Sequence, residues 1–510
     1  MKYCALLFMA VCASGQRFYP DDPLDREPRP RNVEKALNRK LSDYYDLLSH
    51  QFAEPGQRQP KQGPPIRAQA VNTLGEPMDG AWYTKRHYYR RMSLDELKRG
   101  AGSATAPAGS QWTLVGAKAE GVTPGFTILD ERKRRYFIKF DPLSNPEMAT
   151  AADSIASRFF YALGYYVPEN YIVYFTPEQL VLGDDVQLAD STGKKRKMTN
   201  RDIYEILVKV PKTKDGRYRA TASLAVEGKP IGPPRYYGTR KDDPNDVVPH
   251  EHRRDLRGLH VFAAWLAHDD SRAINNFDSL VQDGDRQHIR HYLLDFGSTL
   301  GSGSQRANSP RSGAYYFTWK SAGTQLFTLG LAPPYWARAH YGEYPAIGLF
   351  EGDAFDPERW VPEYPNPAFR NRLPDDEFWG AKQVMAFTNE DIRAIVSTGE
   401  ISDPEAENFL AECLIKRRDK IGKVYFGKVL PFDRFRLQDG TLIWDDLSNS
   451  LRDTRVAWFL FNNQTGERTP VTAMPASGYG VAEISAPSRP GQTILVYTEG
   501  RRIAGIDRNW

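Results

Sequence analysis

His268-Asp-Asp-Ser-Arg-Ala-Ile-Asn275, followed further along by Asp295-Phe-Gly297, is the part of this chain whose reading decides the fold. Asp270 and Asn275 stand at a spacing where a carboxylate can accept a hydroxyl proton while an amide oxygen holds a metal ion. Asp295 closes the apolar run His291-Tyr-Leu-Leu294, which reads as a short buried strand. A carboxylate at the end of such a strand, with Gly297 behind it, suits a second Mg2+ ligand beneath a nucleotide. Each motif alone is weak, since an Asp and an Asn at this spacing recur by chance about once in a chain of this size. Asp295 could also cap a strand with Phe296 packed in a core. An upstream lysine joins the two motifs.

Phe126-Thr-Ile-Leu and Tyr136-Phe-Ile-Lys-Phe140 flank the charged run Asp130-Glu-Arg-Lys-Arg-Arg135 and read as a β-hairpin. Lys139 lies inside the second strand, its neighbours Ile138 and Phe140 pointing to the opposite face. A lysine on an otherwise apolar strand needs an anion, which a nucleotide phosphate supplies; guarding a sheet edge is the other use of such a lysine. Gly116, Gly121 and Gly125 precede the hairpin in a loop whose N–H groups could approach phosphates, although the spacing is not Gly-x-Gly-x-x-Gly. Pro146 to Gly164 follows as a helix with Ala152, Ile155, Phe159 and Leu163 on one face. Glu147 near its start could pair with Lys139, or simply favour the helix dipole; Asp153 is the alternative partner.

With these residues in view, the chain resembles atypical kinases of the HipA and phosphoinositide-kinase-like branch. The stretch from Tyr136 to Tyr174 is similar to the HipA succession of strand lysine, acid-headed helix and Val-Pro-Glu before a strand. His268 to Val281 resembles that family's catalytic loop and the His-Gly-Asp-x-x-x-x-Asn loop of aminoglycoside phosphotransferases. The resemblance implies Asp270 as catalytic base, Asn275 and Asp295 as metal ligands, Lys139 as phosphate clamp, Gly121 and Gly125 in a phosphate-covering loop, and His268 orienting the catalytic loop. Asp269 departs from the phosphotransferase Gly, and Arg272 stands where HipA has a histidine. The fold implied is α+β and two-lobed, with a β-rich N-lobe over 111–245 and a helical C-lobe over 246–430. The cofactors implied are ATP and Mg2+ or Mn2+.

Composition allows several units: 510 residues, 40% hydrophobic and 12% aromatic, are enough for two or three cores. A formal charge of +4 does not demand nucleic acid as a partner. Residues 1–15 read as a short secretory signal, so the mature protein is expected to be secreted or periplasmic, or cytoplasmic if that reading fails. Beyond Gly15 no run reaches the ~18 apolar residues of a membrane span. Only Cys413 would remain after cleavage, which leaves no intrachain disulfide.

The remainder is expected as a 16–110 extension, with a helix over 32–52 (Leu37, Leu41, Tyr44, Tyr45 and Leu48 on one side) and a Pro/Gly linker at 55–65. Ile203 to Pro211 is read as leading into an interlobe hinge. Arg235 to His252 is read as a polar loop, either beside the substrate or merely solvated, with His250 and His252 a possible metal pair. Residues 331–382 are expected to be irregular, Thr388 to Val396 and Asp403 to Val424 helical, and 431–510 a small β-sandwich. The function expected is an exported ATP-dependent phosphotransferase acting on a protein hydroxyl or a small molecule. The alternatives are an exported, non-catalytic pseudokinase that binds partners through its C-terminal β domain, and a nucleotidylyl transferase using the same metal site.

Overall fold

The computed structural model describes residues 15–103, 105–118, 125–189, 195–318, 327–328 and 339–510, and the chain is a mixed α+β protein. It divides into two compact units, one of 26–70 with 77–427, the other of 71–76 with 428–510 and the N-terminal residues up to Asp25. The stretch 16–110 therefore contributes to both.

In the larger unit a six-stranded sheet runs in the order β4 (Asn170–Phe175), β8 (Tyr218–Leu224), β3 (Arg135–Lys139), β2 (Gly125–Leu129), β1 (Trp112–Lys118) and β5 (Leu180–Leu182). Alternation explains its two faces. In β3, Tyr136 and Ile138 are buried beside Leu114, Phe126, Ile128 and Phe175, while Phe137 and Lys139 lie on the other side. The hairpin read from sequence is β2–β3, with Gly125 opposite Lys139. Of the stretch expected to lead into a hinge, Ile203 to Leu207 lies in helix α4 (Asn200–Leu207).

Helix α3 (Met148–Ala162) follows β3 and is buried on almost every side. Its first turn is tied to the chain leaving β3: Thr150 donates to Asp141 through its N–H at 2.8 Å and its hydroxyl at 2.7 Å. The chain turns after α3 at Gly164, whose φ of +111° and lack of a Cβ (one would sit 2.2 Å from Tyr83 Cε2) both require glycine.

The helical part is organised by α5 (Arg254–Leu266), buried along its whole length. Arg254 and Arg257 meet Asp376 at 3.0 and 3.6 Å, and Trp265 Nε1 donates to the Leu414 carbonyl at 3.0 Å. Ala267 then adopts a left-handed conformation (φ 49°) and releases the chain into His268–Asn275. The hairpin β10 (Asn276–Asp283) and β11 (Arg286–Leu293) returns it to Asp295. Thr388 caps the helix Asn389–Val396, and Pro404–Gly427 is the longest helix described. Within the stretch expected to be irregular, Pro374–Met385 is a helix burying Phe378 and Trp379. Its charged first turn and clustered aromatics hid the helical period.

Three further expectations are corrected. The helix read over 32–52 is only α1 (Asp43–Leu48) and a π-turn, and Tyr44, Tyr45 and Leu48 are exposed. The segment docks through polar groups instead, with Asp46 accepting from the Tyr364 hydroxyl at 2.7 Å. The 55–65 linker is strapped down by Gln57 and Gln59, which bond Glu251 and Asn371. The polar loop before α5 is anchored by buried polar groups while Lys241 and Val247 stay exposed: Arg240 is fully buried against Asp278 at 2.8 Å, His250 bonds Asp246, and His252 bonds Gln57 and Arg257, so the two histidines are engaged separately.

The smaller unit holds a hairpin of β12 (Phe432–Gln438) and β13 (Thr441–Asp446). It also holds a five-stranded antiparallel sheet, in the order β15 (Arg468–Val471), β14 (Arg455–Phe461), β16 (Tyr479–Ser485), β17 (Thr493–Glu499) and β18 (Arg502–Asn509). Phe432 and Leu442 of the hairpin share a core with Ile484, Ile494 and Val496 of the sheet. Arg508 ties the two together by pairing with Asp433 at 2.8 Å. Among the described residues no helix is long and apolar enough to cross a membrane.

Gly258 tests the α5 packing, because a Cβ there would lie 2.2 Å from Trp379 Cε3. Gly258→Ala gains up to about 1 kcal/mol of helix propensity, whereas overpacking a rigid buried indole costs about 1–3 kcal/mol. We expect a lowered melting temperature; an unchanged or raised one would contradict the contact.

Candidate functional site

Three elements converge on Lys139. It ends β3, and its ammonium reaches Asp295 Oδ1 at 2.9 Å and Asp153 Oδ2 at 3.9 Å. Asp153 comes from α3, one helical turn and more beyond the acid expected from sequence. Asn170 Nδ2 holds Asp153 Oδ1 at 3.2 Å, and the Phe296 N–H also donates to the carboxylate. Burial works against the Lys139 charge, but Asp153 and Asp295 outweigh it and hold its pKa above the usual lysine range. Burial raises the pKa of Asp153, an effect that Lys139 opposes.

Glu147, the partner expected for Lys139, points elsewhere: it has a left-handed backbone (φ 72°) and accepts from the Ser402 N–H at 2.8 Å. Position explains this, since Glu147 precedes α3 while Asp153 lies on the helix where it passes β3.

Lys139, Asp153, Gly125, Asp270, Asn275 and Asp295 all line one cavity of about 650 Å3. β2 and β3 form one wall, and a Cβ on Gly125 would come within 2.5 Å of the Ile138 carbonyl, so this strand end needs glycine for close approach. Gly121 lies outside the described residues. Asp295 takes a left-handed conformation (φ 59°), which aspartate tolerates better than most residues. Its side chain is 45% exposed.

The loop carrying Asp270 is closed by its own hydrogen bonds. Asn275 Nδ2 donates to the Asp270 carbonyl at 3.0 Å, which leaves its side-chain oxygen as a donor atom for a cation. Ser271 donates to the His268 carbonyl through both N–H and hydroxyl. His268, expected to orient the loop, does not itself line the cavity. It is buried against Phe160 and Phe296 at ring separations of 5.6 and 6.0 Å, and burial lowers its pKa. It therefore supports the loop as a neutral packing residue. Asp269, which the sequence reading gave no role, is pushed up to about 6 by burial and accepts from Asn308 Nδ2 at 2.7 Å.

Four residues around Asp270 were not legible as a group. Arg272 Nη2 meets Asp270 Oδ1 at 3.0 Å, and Arg272 Nη1 meets Asp43 Oδ1 at 3.0 Å and Glu363 Oε2 at 3.7 Å. Glu363 is pushed up to about 8 by burial and by the neighbouring Asp270, and its carbonyl accepts from the Tyr316 N–H at 2.7 Å. Arg272 was visible in the motif, but Asp43, Tyr316 and Glu363 arrive from distant segments with no motif of their own.

The oxygen donors of Asn275 and Asp295 beside a cavity of this size fit a hard divalent cation that keeps most of its coordination from phosphates and water. Lys139 Nζ already shows that the Asp295 carboxylate draws a cation at this spot.

No protein-family model matches the chain, and no curated protein matches it. Among solved structures, the proinflammatory kinase CtkA of Helicobacter pylori is similar at 12% identity and a TM-score of 0.32, over 60% of this chain and 92% of that one. The Golgi casein kinase with Mn/ADP bound is similar at 8% identity and a TM-score of 0.31, over 65% of this chain and 74% of that one. The Golgi casein kinase in a second structure gives 8% and 0.30 over the same shares.

Lys139→Met would leave Asp153 buried without its cation. A raised carboxyl pKa means that the folded state binds the proton more tightly, so stability is retained at low pH and lost as pH rises through that pKa. We expect a loss of roughly 1–3 kcal/mol at neutral pH, below the value for a fully buried pair because Lys139 is 38% exposed. The loss shrinks toward pH 5, and adding Asp153→Asn recovers part of it. Melting temperatures at pH 5 and 8 check this; an equal loss at both would show that Asp153 does not depend on Lys139.

Proposed function

We propose that the chain is a kinase-like phosphotransferase that moves the terminal phosphoryl group of ATP to a hydroxyl. The reading rests on one observation: Lys139, Asp153, Asp270, Asn275 and Asp295, brought from separate elements, share one cavity. Phosphoryl transfer needs little covalent chemistry from a protein and much positioning and charge compensation. In this reading the sheet with α3 acts as an N-lobe and the helices from α5 onward as a C-lobe.

Lys139 on the third strand clamps the phosphates, and Asp153 does for it what a helix glutamate does in protein kinases. Asn275 and Asp295 would hold Mg2+ or Mn2+, which when bound neutralises charge on the phosphates. Asp270 accepts the proton of the incoming hydroxyl. Arg272, 3.0 Å from Asp270 Oδ1, orients the Asp270 carboxylate. His268 holds the turn that carries Asp295 against the loop that carries Asp270, through Phe296. The leader read at residues 1–15 makes the proposed enzyme an exported one. Its acceptor is a hydroxyl on a protein or a small molecule.

Thermal unfolding of the full chain with ATP and Mg2+ or Mn2+ tests the site. Ligand at 100 times its dissociation constant stabilises by about 2.7 kcal/mol. The expected result is a metal-dependent rise that Asp295→Asn abolishes. No rise with any nucleoside triphosphate would refute the reading and favour a binding role for the C-terminal unit. Asp270→Asn is expected to keep the rise while phosphate transfer falls about 10²–10⁴-fold.

A further inference from the structure

Another cavity, of about 770 Å3, shares no lining residue with the one around Lys139. It lies beside β11, the edge strand of a small sheet completed by β10 and β9 (Lys229–Pro230). On such an edge, alternate residues point their main-chain groups away from the sheet. Gln287 is paired there: its N–H donates to Asn32 Oδ1 at 2.9 Å and its carbonyl accepts from the Val33 N–H at 2.8 Å. The His291 N–H donates to the Ala81 carbonyl at 3.1 Å, and the Leu293 N–H to the Tyr166 carbonyl at 2.9 Å. Ile289, between them, is 1% exposed, yet its outward N–H and carbonyl have no partner among the described residues. Buried main-chain groups are rarely left so, and Ile289 lines the cavity.

The sequence explains the gap. The strap Arg26-Glu-Pro-Arg-Pro-Arg31 runs past this edge, but Asn245 takes both main-chain groups of Arg31, the N–H at 2.7 Å and the carbonyl at 3.0 Å. Pro28 and Pro30 have no N–H to give, so the strap does not extend the sheet over Ile289. It does bring Arg26, Arg29 and Arg31 to the cavity, where Arg290 joins them from β11. Arg29 pairs with Asp285 and Arg290 with Glu227, acids 74% and 61% exposed, and surface pairs of this kind yield readily to another anion. Arg26 and Arg31 make no side-chain hydrogen bond or ion pair among the described residues. Two of the acids that line the cavity are already met, Glu27 by Arg253 at 3.0 Å and Asp79 by the Lys85 N–H at 2.7 Å.

We propose that this cavity is a binding site for a small phosphate- or sulfate-bearing molecule, its anionic group held by Arg26, Arg31 and the Ile289 N–H. Guanidinium suits such a group because its planar donors meet two oxygens at once. The cavity is larger than a bare oxyanion needs and falls within the ~300–1,000 Å3 of small-molecule sites. Met78, Val248 and Tyr166 line it as well and offer apolar surface to the rest of the ligand. A ligand hydroxyl is the donor that the Ile289 carbonyl lacks. His288, also in the lining, is 9% exposed and has a ring nitrogen, Nδ1, with no hydrogen-bond partner. The site stands independently of the phosphotransferase reading.

The test is titration calorimetry on the full chain at constant ionic strength, without ATP or divalent metal. The probes are glucose 6-phosphate, glucose 6-sulfate, pyrophosphate and glucose. The expected result is saturable binding of at least one of the three anions, none of glucose, and an affinity that falls about tenfold or more in the double variant Arg26→Gln, Arg31→Gln. Both arginines are exposed, so the variant is expected to keep its melting temperature. Hydrogen exchange on the unaltered chain gives a second reading that does not depend on the variant: the peptide over Gln287–Arg290 is expected to protect about one more amide when the anion binds. The two esters tell phosphate from sulfate, and either result supports the site. No binding by any of the three anions overturns the proposal, and so does glucose binding as tightly as its esters. Binding that a folded double variant leaves unaltered, or that adds no protection at Gln287–Arg290, places the anion elsewhere and overturns it too.

Discussion

One ammonium group between two carboxylates holds this site together. Lys139 belongs to a strand, Asp153 to a helix and Asp295 to a turn, and no local hydrogen-bond pattern would align the three. A carboxylate buried as deeply as Asp153 is costly unless it is paired and hydrogen-bonded. Here it has Lys139, the Asn170 amide and the Phe296 N–H, so its presence inside α3 requires β3, β4 and the Asp295 turn to be in place at once. The two acids are not equivalent. Asp153 is shielded within α3 at 3.9 Å from the ammonium, whereas Asp295 meets it at 2.9 Å with a side chain 45% exposed at the cavity.

Around Asp270 the same shortage of positive charge recurs. Asp43, Asp270 and Glu363 meet a single guanidinium, Arg272. Of the three, Glu363 is the one that responds: burial and the neighbouring Asp270 push it up to about 8. Asp269 shows the same response to burial on the opposite side of the loop.

How much of this could be read from sequence follows from which interactions are local. Lys139, Asp270, Asn275 and Asp295 announced themselves because their residue types and order encode chemistry, and the cavity gathers all four. The β2–β3 hairpin and the helices Asn389–Val396 and Pro404–Gly427 were legible from period and caps. The helix over 32–52 was misread because apolar residues at helical spacing need not be buried. Asp46 and His50 face inward there, and Tyr44 and Tyr45 face out. Glu147 was favoured over Asp153 because a first-turn acid looks functional, yet the choice turned on where α3 crosses β3, which no spacing along the chain contains. Glu363 and Tyr316 had no signal at all, since their meaning comes from main-chain bonds to a loop far away in sequence.

Backbone strain marks the same places. Ala267 and Asp295 both sit in the left-handed region, one where the chain leaves α5 for the loop carrying Asp270, the other where it leaves β11. Each such residue costs on the order of 1 kcal/mol and persists only where the surroundings over-determine it. For Ala267 the surroundings are the buried α5 and the His268 N–H bonded to the Ala263 carbonyl at 2.8 Å. For Asp295 they are Lys139 at one side and Phe296 stacked on Phe160 at the other, 5.0 Å between rings. His268 touches both Phe160 and Phe296, so the two strained turns share one buried aromatic contact. Neither can relax without disturbing the other. The distance between the Asp270 loop and the Asp295 turn is therefore set by the Leu294 N–H bond to the Asn275 carbonyl at 3.1 Å together with core packing beneath the cavity, which is why a histidine outside the cavity matters to it.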